Sequence, residues 1–136
     1  MQEYRRPNKG RQLLRFEGMG SGRATPTDID ALIEYHGRVW VLFEAKYHGA
    51  EVPAGQRYAL EHFVQAMRQA GRHAMAVVVD HEVQDETRDV YLRDLPVREM
   101  YTTEGKGWRP PRRPMTARMI ADEYIHYWDK GLQTWA

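Results

Sequence analysis

Two stretches of the chain are apolar almost without interruption, VWVLF at 39–43 and AMAVVV at 74–79. Short runs rich in valine predict strands buried on both faces. The first run follows ALIEY and the turn pair His36-Gly37, so 28–35 and 38–46 are expected to form a hairpin. The second is reached through 56–70, where Tyr58, Leu60, Phe63, Val64 and Met67 recur at helical spacing and Gly71 supplies the stop. Further extended structure is expected over 88–103, with Val90, Leu92, Val97, Met100 and Tyr101 as its apolar members. A short helix is expected at 11–17, ended by GMGSG. Thr116 is expected to cap a last helix running to about 130, with Met119, Ile120, Tyr124 and Tyr127 turned inward. A hairpin joined through a helix to a further strand gives an α/β fold, a mixed central β-sheet flanked by helices.

At 136 residues the chain is expected to be one domain, 1–136. No segment approaches the roughly 18 apolar residues of a membrane span, and MQEYRRPNKGR lacks the apolar stretch of a secretory signal. The absence of cysteine excludes disulfides and thiolate metal sites, and it fits a cytoplasmic protein. The formal charge of +1 does not by itself point to a polyanion, but its distribution is uneven. Arg5, Arg6, Lys9, Arg11 and Arg15 face a single acid, Glu3, and Lys106, Arg109, Arg112, Arg113 and Arg118 lie in GKGWRPPRRPMTAR with none. These arms are either solvated segments or surfaces for the phosphates of DNA. Trp108, inside the second arm, either stacks on a base or clips the segment to the domain. Trp40 belongs to the core, whereas Trp128 and Trp135 pack the last helix or a partner chain.

Several chemistries lack their residues. There is no G-x-S-x-G and no P-loop, against a serine hydrolase or an enzyme using a nucleotide cofactor. His36 falls in the turn, His48 and His81 at strand ends, and His81-Glu82 has no second histidine at zinc-ligand spacing.

What remains is a set of charges at the end of the hairpin. Glu44 and Lys46 project from one face of their strand, and Asp28 and Asp30 share a face of theirs. A three-residue loop brings the two pairs to the same face, and a two-residue loop separates them. If they meet, two carboxylates with a lysine beside them suit Mg²⁺ or Mn²⁺, with the lysine orienting a water or offsetting charge on a phosphate. The plainer alternative is a Glu44–Lys46 ion pair at the strand's wet end.

Asp30, the turn glycine, the apolar strand and Glu44-Ala45-Lys46, fourteen positions on from Asp30, resemble the PD-(D/E)xK nuclease superfamily. Pro26 precedes the aspartates without adjoining them. The hairpin is most similar to the restriction-endonuclease-like and archaeal Holliday junction resolvase branches. Small phage-encoded proteins look similar over a longer stretch, from PTDID to the GQR after the hairpin. The motif covers about 20 residues, and the compatible element order roughly 100.

The resemblance implies a restriction-endonuclease-like core (αβββαβ) and a magnesium- or manganese-dependent endonuclease, a phosphodiester hydrolase acting in the cytoplasm. Asp30 and Glu44 would be the metal ligands, with the Ala45 carbonyl a further one and Asp28 the rival for the first position. Lys46 would be the catalytic lysine. Gln56 either contacts the active site or simply opens its helix. Glu17 is the candidate for a glutamate carried by a first helix. DNA is the implied partner, held through Arg5, Arg6, Lys9, Arg11, Lys106, Trp108, Arg109, Arg112 and Arg113. Cleavage of four-way junctions would require two active sites, hence a homodimer.

Overall fold

The computed structural model describes residues 15, 17–20, 29–82, 87 and 89–129. The two apolar runs form the middle of a five-stranded sheet ordered β1-β2-β3-β4-β5. β1 is Ala31–Tyr35, β2 Val39–Tyr47, β3 His73–His81, β4 Val97–Thr102 and β5 Gly105–Arg109. Helix α1, Ala54–Gln69, connects β2 to β3, and α2, Ala117–Asp129, closes the described fold. β2 and β3 are parallel, and the remaining pairs are antiparallel. The architecture is therefore α/β, with a five-stranded mixed sheet and two helices. Among the described residues two strands precede α1, not the three of an αβββαβ order. The expected first helix falls largely outside the described residues; Glu17 and Gly18, which are described, form a turn.

Each face of the sheet carries its own core. Val39, Val41, Phe43, Met75, Val77 and Val79 point to the side covered by α2, where Ile120, Ala121 and Tyr124 meet them. Leu42, Ala74 and Ala76 point the other way, against Leu60 and Val64 of α1. β2 and β3 have strand neighbours on both edges as well as covered faces, which is why their sequences lack polar alternation.

Local signals set the element ends. Past Gln69, the Gly71 N–H donates to Arg68 O at 3.0 Å and the Arg72 N–H to Met67 O at 2.9 Å, with Gly71 at φ +74°. This paired closure needs a left-handed residue, which glycine adopts without a Cβ clash. α2 starts where expected, the Thr116 hydroxyl accepting the Met119 N–H at 3.3 Å.

Some inward assignments fail. Met119 is 40% exposed and Tyr58 57% exposed, because each falls beside its helix's apolar stripe rather than in it. The stretch 88–103 is not continuous strand: a 3₁₀ turn occupies Leu92–Asp94, Val90 is exposed, and β4 starts only at Val97. Trp40 is half-buried against Phe63 rather than central. Trp128 stacks on His73 with ring centroids 3.4 Å apart, so it packs within the chain. Trp135 lies outside the described residues.

Candidate functional site

The hairpin register decides whether the charges meet. His36 and Gly37 both take positive φ, 53° and 67°, and the Arg38 N–H donates to Tyr35 O at 3.0 Å. Tyr35 pairs with Val39, leaving three residues in the loop. Pairing continues to Ala31 opposite Phe43, so Asp30, one residue before β1, takes the position opposite Glu44. One Asp30 oxygen accepts the Ala45 N–H at 2.7 Å, tying the strand entrance to the middle of Glu44-Ala45-Lys46. Asp28 and Pro26 lie outside the described residues.

Glu44 and Lys46 alternate with the residues facing α2, so they project toward α1 at the carboxyl end of β2. Glu44 is only 4% exposed, and its carboxylate lies 3.2 Å from Lys46 Nζ. The ammonium also donates to Gln56 Oε1 at 2.8 Å, from the first turn of α1. Gln56 therefore does more than open its helix: it also holds the lysine. A half-buried ammonium between a carboxylate and an amide oxygen is fixed in place far better than a solvated one.

Around this centre lie charges outside the motif. Asp80 of β3 is the register partner of Lys46 and binds Arg98 through both carboxylate oxygens. Arg57 pairs with Glu99 at 2.6 Å and lies over the Trp108 ring, 4.6 Å from its centroid. Asp80 had a legible signal, since VVVDH repeats the pattern of an apolar strand ending in an acid. Arg57, Arg98 and Glu99 had none, because their partners are distant in sequence.

The basic arms are described only in part. Arg5, Arg6, Lys9 and Arg11 lie outside the described residues. Trp108 is clipped: its Nε1 donates to Glu61 at 2.6 Å, and Tyr101 stands 5.3 Å from its ring. Arg109 turns back on the Gly105 carbonyl at 3.1 Å, and Arg113 pairs with Glu123. Lys106 and Arg112 are exposed. Glu17 is exposed and 3.7 Å from Arg15.

Asp30, Glu44 and the Ala45 carbonyl are hard oxygen donors, the chemistry that Mg²⁺ or Mn²⁺ takes. Opposing positions on neighbouring strands suit them to share a cation. Among the described residues no three His, Cys, Asp or Glu side chains gather into a metal-binding group. Also among the described residues, no helix is long and apolar enough to cross a membrane. Compared with family models, curated proteins and solved structures, the chain matches none.

Proposed function

We propose that the chain is a metal-dependent nuclease that hydrolyses phosphodiester bonds in DNA, built on a restriction-endonuclease-like core. One observation carries the reading: the buried Glu44 carboxylate stands opposite Asp30 and 3.2 Å from Lys46, whose ammonium is steadied by Gln56. Burying the Glu44 carboxylate is costly to a fold, and divalent-metal phosphoryl chemistry gives it, Asp30 and Lys46 each a task.

Asp30, Glu44 and the Ala45 carbonyl would hold Mg²⁺ or Mn²⁺. When bound, the metal supplies an activated water and offsets charge on the phosphate. Lys46 would present its positive charge to the non-bridging phosphate oxygens as the water oxygen attacks phosphorus, the ester P–O bond breaks, and the departing alkoxide takes up a proton in place of the one the water loses. Gln56 accepts a hydrogen bond from that ammonium and Glu44 pairs with it, and together they fix where the charge sits. Structure-selective cleavage of junctions or branched DNA is the narrower form of the proposal, and on a four-way junction it calls for a homodimer.

A second reading is favoured by the same geometry. Glu44, Lys46 and Gln56 form a polar chain, as a catalytically inactive DNA-binding or protein-interaction module would also keep. Lys46→Ala separates the two. The nuclease reading expects cleavage to fall by about 100-fold or more with DNA affinity nearly unchanged. Cleavage at the wild-type rate in this variant would remove Lys46 from the chemistry.

A further inference from the structure

Alternation along a strand would ordinarily send Arg98 and Glu99 to opposite faces. The β3–β4 ladder is irregular at this point: Val78 pairs with Glu99 and Val79 with Val97, leaving Arg98 as the extra residue of a bulge. A bulge re-aims a side chain, and here it brings both residues to one face. Glu99 reaches Arg57 of α1, and Arg98 reaches Asp80. Asp80 lies on the α1 side by alternation from Ala74 and Ala76, the side from which Lys46 projects. Neighbouring strands lie about 4.8 Å apart, so the Asp80–Arg98 unit begins one strand spacing from Lys46.

The guanidinium has two usable edges. Asp80 occupies one, through Nε and one terminal nitrogen. No described residue accepts from the other terminal nitrogen, and the Arg98 side chain retains 21% of its exposure. A carboxylate gripping one edge orients the fork and leaves the second edge as a preformed donor pair, the geometry that matches a phosphate.

Resting on the nuclease reading, we propose that Arg98, held in place by Asp80, binds a backbone phosphate of the DNA beside the Glu44–Lys46 centre. The bulge exists on this account because an unbroken ladder would turn Arg98 away from that face. Asp80 is a positioning residue, and Arg98 is the group that touches the substrate.

The test is DNA binding by the full chain as a function of salt, measured for wild type and Arg98→Gln. The glutamine amide still donates to Asp80 but carries no charge. Each phosphate contact contributes about 0.9 to the slope of log affinity against log salt. The expected result is a slope smaller by about 0.9 and an affinity about tenfold lower at moderate salt. Should Arg98→Gln fail to fold, Asp80→Asn combined with Arg98→Gln leaves a neutral hydrogen-bonded pair, and the same drop in slope is expected. An unchanged slope in whichever variant folds overturns the proposal, while wild-type cleavage keeps the nuclease reading. A wild type that binds no DNA at any salt overturns both.

Discussion

Tyr124 illustrates how a single buried polar group ties two elements together. Its ring is fully buried, and its one hydroxyl proton is shared between two acceptors, the Ala74 carbonyl at 3.1 Å and Glu104 at 2.9 Å, joining α2 to β3 and the β4–β5 turn. Burial, and then the nearby Glu104 charge, push the phenol well above its usual value near 10. The folded state therefore keeps this proton where the unfolded chain has lost it. By linkage this contribution is complete below about pH 10 and is lost as pH rises further. Tyr124→Phe should soften the alkaline fall in stability when denaturant unfolding is compared at about pH 8 and 11. At pH 8 the variant should lose about 1 kcal/mol, because the Thr103 N–H still satisfies the Ala74 carbonyl at 3.0 Å. An alkaline limb as steep as wild type would mean that another group controls it.

At the scale of elements, the sequence announced what periodicity and turn chemistry specify locally. VWVLF, AMAVVV, Gly71 and Thr116 placed β2, β3 and the limits of two helices to within about two residues. β5 went unread because GKG looks like a breaker. Gly105, Lys106 and Gly107 all take positive φ, and the strand exists only through pairing with β4. The site divides along the same line. Asp30, Glu44 and Lys46 were legible because a hairpin keeps its partners close in sequence. Their meeting depended on loop length, which residue identity left open between two and three. Arg98 and Arg57 were invisible because a bulge and a cross-sheet ion pair aim them. The Trp108 clip also belongs to this scale, since Glu61, Arg57 and Tyr101 fasten β5 to α1 and β4. Trp108→Phe keeps the stack and removes the bond to Glu61. It should lower stability by about 1–2 kcal/mol in thermal unfolding and leave DNA affinity as it was. Unchanged stability with weakened DNA binding would instead mean that the ring stacks on a base.

For the whole molecule, the mixed sheet collects its charges at one place. The carboxyl ends of parallel β2 and β3, with the first turn of α1 beside them, hold Glu44, Lys46, Asp80 and Gln56. Ligands of open α/β sheets gather at such strand ends, where loops rather than core fill the space. On the function proposed above, this end of the sheet cuts DNA with a divalent metal. The most direct test is cleavage of labelled linear, flapped and four-way-junction DNA with Mg²⁺, with Mn²⁺ and with chelator, wild type beside Glu44→Ala. The expected result is cutting that needs the metal, stops with chelator and is lost in the variant. Binding without cutting under either metal, or cutting that survives Glu44→Ala, would contradict it.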